Sequence, residues 1–560
     1  MNMLFKYIPI LETIKNYNRR DFNFDLIAAL TVAVVALPQS MAYAMIAGVS
    51  PAYGLYTAII LSIIGSMMGS SNHLNTGPTN AICLLIAGIM VPFAGKNNFF
   101  EMLCLLTFMV GAIQFALGAL RLGSLVNYVS HSLIIGFTAG AGILIALQQL
   151  NSLLGISIKG NYSTIEKVAL TLQNIDKTNY YSLGLGLLTI GTILICKFIN
   201  NKLPGALLGV IASTAAVIIF HLDQAGVKLT GDIPSAIPPF GMLHFSGGEL
   251  TSLASGAMVI AIIGLVEAVS ISKAISSLTH QKIDPNQEFM GQGLSNIVGS
   301  FFSCIPGSGS FTRSAVTYQS GGKTRMVGVL AGLSVLAALI CIKPWAKFIP
   351  GASLAGVLMI VAYSMVDKKA FKKILATNRN DAAIMLVTAI ITVLAPQLEY
   401  AIYIGVALSL ILYLKESSVA SVKTITPVKA GEVRFGEKTA ERSAVGKDTT
   451  IIQLGGNLYF GSATDLEQKL SNAINGSSVY ELNFSGVTLM DMTSLEIIEN
   501  FINRVLSEEK RIILTGINSN IKTMLDKADI TKHVGSTNIF MQDDALADEK
   551  YAKGYIYAAG

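Results

Sequence analysis

Pro306-Gly307-Ser308-Gly309-Ser310-Phe311-Thr312-Arg313 interrupts a series of apolar runs with residues that a lipid-facing helix does not tolerate. A second break, Asn75-Thr76-Gly77-Pro78-Thr79-Asn80, lies earlier in the chain. The apolar runs that follow are short. Residues 79–93 make about 22 Å of helix against a hydrocarbon core of roughly 30 Å. Residues 311–320 make less. Irregular backbone at membrane depth is tolerated only where it is buried in protein or lines a cavity.

Outward from these breaks the chain reads as membrane spans. Apolar residues are 52% and charged residues 13% of the 560, against about a quarter charged in soluble domains. Fourteen candidate spans cover 26–47, 52–69, 79–93, 100–120, 129–150, 181–199, 204–221, 251–272, 287–303, 311–320, 326–348, 351–366, 380–395 and 399–414. With the N-terminus inside, the even-numbered loops hold Arg121, Lys197, Lys202, Lys273, Lys282, Lys323, Arg325, Lys368, Lys369, Lys372, Lys373 and Arg379. This positive-inside bias places both termini in the cytoplasm and predicts a multi-pass protein of the cell (inner) membrane. Residues 1–24 are then a cytoplasmic segment, with Phe5 to Tyr17 either an amphipathic helix or a frayed tail.

Asn80 and Arg313 are separated by 233 residues, and the first and eighth spans start 225 apart. The transport domain 25–415 therefore divides into copies at 25–222 and 250–415, each with seven spans. An odd number inverts the second copy. Paired broken helices in inverted repeats point to a binding site at the midplane.

The C-terminal part changes character. Residues 416–448 read as a polar linker. Residues 449–542 alternate strands (450–454, 479–484, 511–514) with helices (464–473, 493–507, 522–528), the pattern of a small α/β domain. Residues 543–560 read as a tail.

Composition excludes several classes. The net charge of +6 is modest and fits loop bias, not nucleic-acid binding. Five cysteines without paired spacing and six scattered histidines give no metal site. No phosphate-cradling loop or nucleophile–base arrangement appears, so no ATP-driven motor, enzyme activity or cofactor is expected.

The candidate site follows from helix physics. Half-helices starting near Thr79 and Thr312 present unpaired N–H groups and positive partial charge, which suits an anion. Gln39, Thr79, Asn80, Ala81, Ser310, Phe311, Thr312 and Arg313 are the expected binding residues. Arg313 adds fixed charge; the alternative is a loop cation snorkelling to water. Glu267, with Ser270 as co-ligand, is the expected coupling group for a proton or sodium ion; the alternative is an interfacial acid near Lys273. Gln39 sits 228 residues before Glu267, beside Pro38; a kinked helix with a buried Gln is the bland reading. In the C-terminal domain, Asp491 is read as an N-cap with Thr493 and Ser494 in the first turn, and simple capping is favoured over phosphorylation.

These residues also carry a resemblance. Leu37-Pro38-Gln39-Ser40-Met41-Ala42-Tyr43-Ala44, Pro51-Ala52-Tyr53-Gly54-Leu55-Tyr56, Gly291-Gln292-Gly293-Leu294-Ser295-Asn296-Ile297 and Gly309-Ser310-Phe311-Thr312-Arg313-Ser314-Ala315-Val316 resemble signatures of the sulfate permease (SulP) family. The C-terminal domain resembles a STAS domain, around Asp491-Met492-Thr493-Ser494-Leu495. The resemblance implies core and gate bundles, a homodimer, elevator-like movement of the core and a cytoplasmic regulatory partner for the STAS domain. The expectation is thus secondary active transport of a small anion: sulfate, bicarbonate, chloride or dicarboxylate. A passive anion channel or exchanger, or a nucleobase permease of the same architecture, are the alternatives.

Overall fold

The computed structural model describes residues 8–542 apart from 97, 125–129, 159–163, 201–202, 232–234, 236, 243–246, 396–397, 426, 430–431, 436–437 and 442–448. The chain forms two compact units, Met1–Ser409 and Leu410–Gly560. The expected tail lies outside the described residues, as do residues 426, 430–431, 436–437 and 442–448 of the expected linker; its described residues are not plain linker but hold the end of a helix, the strand Ser421–Ile425 and three short antiparallel strands, Pro427–Lys429, Glu432–Phe435 and Lys438–Glu441.

A helix stands at each of the fourteen expected spans. The first repeat holds α1 (Arg19–Ile46), α2 (Pro51–Met68), α3 (Asn80–Ile89), α4 (Phe99–Ala119), α5 (His131–Leu153), α6 (Tyr180–Ile199) and α7 (Gly205–Ile219). The second holds α8 (Gly247–Thr279), α9 (Pro285–Ser300), α10 (Phe311–Gln319), α11 (Met326–Ala346), α12 (Gly351–Met365), α13 (Arg379–Leu394) and α14 (Glu399–Ser417). Among the described residues eight helices are long and apolar enough to cross a membrane by themselves, and α3 and α7 are shorter apolar helices. A short helix, Ile10–Asn16, occupies the described part of the N-terminal segment. The helix α8, at 33 residues, runs well past the expected end at 272, because Lys273-Ala274-Ile275-Ser276-Ser277-Leu278-Thr279 contains no Gly or Pro to stop it.

Packing follows the repeat. The helix α1 packs on α11 as α8 packs on α4, and α2 packs on α11 as α9 packs on α4. Likewise α1 meets α10 as α8 meets α3, and α5 meets α13 as α12 meets α6. Exchanging the halves preserves these four pairs of neighbours, as an inverted repeat requires. Two bundles result: a core of α1–α4 and α8–α11, and a gate built on α5–α7, α12 and α13, against which α14 lies with Gly405 beside Thr388 of α13 and Leu133 of α5. The seam between them is formed by α1 and α3 against α5, α7 and α12.

Small residues permit this closeness, because in lipid helices associate through backbone proximity and not through a hydrophobic drive. Where α4 crosses α9, a Cβ on Gly111 would lie 2.6 Å from the Ile297 nitrogen, and one on Gly293 would overlap the Phe115 nitrogen. On the lipid-side helix α6, a Cβ on Gly191 meets nothing within 4 Å.

Buried carboxylates lock the loops of this unit. Asp25 accepts from Lys323 N (2.7 Å), Thr324 N (3.1 Å) and the Thr324 hydroxyl (2.6 Å), fastening α1 to the turn after α10. Glu288 accepts from Ser70 N (2.9 Å) and Ser71 N (3.1 Å), fastening α9 to the turn after α2. Both side chains are essentially inaccessible.

The second unit has a five-stranded sheet with β3 (Ser421–Ile425), β4 (Thr449–Leu458), β5 (Val479–Met490), β6 (Arg511–Ile517) and β7 (Ile539–Met541), in the order β7-β6-β5-β4-β3. The helices α15 (Ala463–Asn472), α16 (Met492–Ser507) and α17 (Ser519–Lys527) alternate with the strands. The pairs β4–β5, β5–β6 and β6–β7 are parallel, whereas β3 pairs antiparallel with β4. The core includes Leu454, Leu482, Phe484, Ile498, Phe501 and Leu514.

Two expectations need correction here. Residues Ser421–Ile425, read as linker, are an edge strand: their polar composition is what a solvent-facing edge carries. The strand β5 runs to Met490 and not to Phe484, because residues 486–490 find partners in Gly455–Leu458 across two irregularities of register. The edge is tied down by Asp465, which accepts from Ala420 N at 2.8 Å and pairs with Lys469 at 2.8 Å. The hydrogen bond from Lys469 holds the Asp465 carboxyl below its ordinary value, so the tie persists at neutral pH and is lost as acid protonates it.

Gly293→Leu will therefore abolish recovery of monodisperse protein in detergent, while Gly191→Leu will purify with an unchanged melting temperature. Size-exclusion profiles and thermal melts of the two variants check this.

Candidate functional site

The two sequence breaks meet. Thr76–Gly77, which is β1, pairs antiparallel with Ser308–Gly309, which is β2, in the register Thr76↔Gly309 and Gly77↔Ser308. Each strand is followed within three residues by a helix, α3 at Asn80 and α10 at Phe311. Because the strands run in opposite senses, the helices leave the pair in opposite directions and their N-termini converge on it. At 10 and 9 residues they are about 15 and 14 Å long, each roughly half a membrane.

A lattice of hydrogen bonds holds the junction. Ser310 N donates to Asn75 O (2.9 Å), and Asn75 N donates to Ser314 Oγ (2.9 Å). Asn75 Nδ2 donates to Ser62 Oγ (2.9 Å), which donates to Gly328 O (2.9 Å). Gln292 Nε2 reaches Thr76 Oγ1 (2.8 Å), while Asn296 receives Gly307 N and donates to Gly307 O (2.9 and 3.0 Å). This satisfies backbone groups that a broken helix exposes.

Neither half-helix is capped by a side chain: the N-caps Thr79 and Ser310 make no side-chain bond to their first turns. The Thr79 hydroxyl instead donates to Glu267 Oε2 at 3.1 Å. Asn80 Oδ1 accepts from the Ala81 nitrogen (2.9 Å). The first turns of both helices therefore keep donors turned toward whatever occupies the junction.

Arg313 is 1% exposed, the largest fully buried side chain among the described residues. Its Nη2 donates to Pro78 O (3.1 Å) and its Nη1 to Ser40 Oγ (3.5 Å), and its Nε has no partner. A Cβ on Gly77 would lie 2.7 Å from the guanidinium, so glycine there makes room for it. Tyr43, Glu267 and Cys83 are its titratable neighbours, yet among the described residues no carboxylate lies within ion-pair distance of it. A dehydrated cation held by one carbonyl and one long hydroxyl contact is poorly compensated, and an anion is the partner that completes it.

The remaining expected residues fall as follows. Gln39 is half-buried, and its buried amide oxygen has no partner; turning the amide over would offer an N–H2 at that point. Phe311 and Thr312 are exposed on the first turn of α10. Ser270, the expected co-ligand, is exposed and makes no hydrogen bond to Glu267 among the described residues, whereas the Thr79 hydroxyl, from the other repeat, engages the carboxylate. Ser40, Gly77 and Pro78 were not singled out as site residues. The signal for Ser40 was its place beside Gln39; the Pro78 carbonyl left no trace in side-chain chemistry.

In the second unit Asp491 caps α16, accepting from Ser494 N (2.9 Å), and its other oxygen accepts from Phe460 N (2.7 Å). Ser494 is buried with an unpartnered hydroxyl, whereas Thr493 is exposed.

Comparison with known proteins adds context. Residues 22–388 match the model of the sulfate permease family, and residues 442–544 match that of the STAS domain. The putative sulfate transporter YvdB of Bacillus subtilis is 29% identical over 95% of this chain and 98% of its own length. The chloroplastic sulfate transporter 4.1 of Arabidopsis thaliana is 26% identical over 95% of this chain and 81% of its own. The solved structure of SLC26A9 superposes with a TM-score of 0.87 at 17% identity, covering 100% of this chain and 94% of that one. The transmembrane domain of the cyanobacterium bicarbonate transporter BicA gives a TM-score of 0.62 at 26% identity, covering 68% of this chain and 98% of that one.

Arg313→Ala will weaken anion binding at least ten-fold, about 1.4 kcal/mol, with the fold retained. Gly77→Ala will weaken it similarly without removing any charge, by displacing the guanidinium. Equilibrium binding of radiolabelled sulfate to the purified variants checks both. Asp491→Ala will cost about 1 kcal/mol of STAS-domain stability, read by urea unfolding of the full chain followed with a probe on that domain.

Proposed function

The chain belongs to the sulfate permease family, a family of transporters and not of enzymes, and on that footing we propose that it is a secondary active transporter of small anions. The observation that carries this reading is the pair of uncapped half-helix N-termini joined at β1–β2, with Arg313 buried beside them and short of counter-charge. Gln39, Thr79, Asn80, Ala81, Ser310, Phe311, Thr312 and Arg313 line the anion site. The names of the relatives support sulfate as a first substrate to try, and that of BicA supports bicarbonate.

Glu267 is the coupling group. It shares Thr79 with the anion site, so its charge state acts on the same helix start that holds the anion. Adding a proton or a sodium ion to this carboxylate removes a negative charge that repels the anion, which makes loading of the two interdependent. The core then moves as a body along the seam against the gate, elevator-fashion, carrying the site across. Repulsion of an anion by unprotonated, sodium-free Glu267 disfavours the partly loaded core and keeps transport coupled.

We assign the protein to the cell membrane as a homodimer with both termini cytoplasmic, its STAS domain serving as a surface for a regulatory protein partner. Thr493 is the accessible hydroxyl for regulation; Ser494 is sequestered. A nucleobase permease is the weaker reading, since a neutral ring does not need the buried Arg313.

Uptake of radiolabelled sulfate, bicarbonate and fumarate into proteoliposomes, under imposed proton or sodium gradients, tests the proposal. One of these anions will accumulate above its equilibrium level with one of the two gradients. Accumulation of none, with uracil taken up instead, would overturn it. Glu267→Gln will still exchange the anion across the membrane but will fail to concentrate it; a Gln variant that concentrates as the parent does refutes the coupling role.

A further inference from the structure

A cavity of about 300 Å³ lies at the core–gate seam, away from the half-helix junction. It sits at the face where α1 ends and α2 begins, opposite to the face on which α1 starts. Its core wall is Met45, at the end of α1, and Pro51, at the start of α2. The gate supplies the rest, including Asn151 of α5, Ser182 of α6, Lys228 and Ala352 of α12.

The charge of the lining is one-sided, its one charged side chain being that of Lys228, an exposed residue. No Asp or Glu lines the cavity. Lys228 makes no ion pair or side-chain hydrogen bond among the described residues, so its ammonium is a free cation at the cavity wall. Ser182 is only 2% exposed, and its hydroxyl has no hydrogen-bond partner among the described residues; only its backbone nitrogen is engaged, by Asn179 Oδ1 at 2.9 Å. The 15-residue α12 begins here with Pro350 as N-cap and no side-chain cap. Gly351 N is taken by Lys228 O (2.9 Å) and Ser353 N by Pro350 O (3.0 Å), which leaves the Ala352 nitrogen as the open first-turn donor. A cation, a buried hydroxyl and an uncapped helix start are all donors. Polar groups in such a cavity need acceptors, and the acceptor that also answers the charge is an anion.

We propose that this cavity is a second anion site, in which a small oxyanion such as sulfate rests on the gate donors Lys228, Ser182 and Ala352 N beneath a lid formed by the α1–α2 corner of the core. The proposal rests on the anion-transport reading above, but on different residues. The donors belong to the gate and the lid to the core, so displacement of the core uncovers the site. Its occupant therefore raises the local anion concentration for the core on that face and favours the arrangement in which the lid is closed.

Equilibrium binding of radiolabelled sulfate to the purified full chain in nanodiscs tests this. The parent will bind two ions per chain, and Lys228→Gln will bind one, with the lost site weakened at least ten-fold. Ser182→Ala, which removes no charge, will weaken the same site. Arg313→Ala will lose the other ion and keep this one. In proteoliposomes Lys228→Gln will raise KM several-fold when anion is offered on the lid face and leave KM on the opposite face and kcat unchanged. A parent that binds one ion, lost in Arg313→Ala and untouched in Lys228→Gln, overturns the second site and leaves the transport site standing. Two ions retained in Lys228→Gln overturns the assignment to this cavity. No sulfate bound by the parent overturns both.

Discussion

Backbone groups at membrane depth have no water to turn to, and the pairing of Thr76–Gly77 with Ser308–Gly309 is how this chain meets that constraint. Each repeat breaks one helix, and each break supplies the partner for the other. The antiparallel sense of the pair then dictates that the following helices point apart with their N-termini together. The proposed anion site is thus a by-product of satisfying backbone hydrogen bonds, and neither repeat alone could form it. The main chain of Asn75 and the side chain of Asn296 bond to the same backbone, and Gln292 holds the Thr76 hydroxyl beside it.

The price of building the site so deep is a desolvated arginine. Arg313 reaches across to the opposite repeat, where the Pro78 carbonyl and Ser40 hydroxyl receive it and Gly77 leaves it space. These contacts orient the guanidinium but do not neutralise it. Burial of Asp25 and Glu288 is of another kind, because each accepts two backbone N–H groups and finishes as a structural fastening. A buried charge with a full set of partners holds a fold together; one with a deficit is available for a ligand.

The two bundles differ in what their interfaces ask of them. Inside the core, glycine brings α4 and α9 to backbone contact, an interface too close to slide without a clash. The seam between core and gate is carried by fewer elements and contains a donor-lined cavity. Rigid packing within a bundle and a looser, polar boundary between bundles are the conditions under which one body can move past another.

Spans, repeat and candidate site were legible because membrane insertion imposes strong local rules. About twenty apolar residues make a span, Gly and Pro mark a break, and a break in each half marks the midplane. Hence the fourteen helices, the half-helix starts at Asn80 and Phe311, and Arg313 as the central charge follow from sequence alone. The STAS helices were legible for a similar reason, through their amphipathic pattern and the Asp491 cap. Tertiary structure decided the rest, because it depends on pairing between residues far apart in the chain. Only the fold assigns the Thr79 hydroxyl to Glu267, 188 residues away, in place of neighbouring Ser270. Only the fold extends β5 to Met490 and recruits Ser421–Ile425 as an edge strand. Local composition fixes which groups are polar and where a helix must stop; it carries no record of which distant carbonyl, hydroxyl or strand will satisfy them.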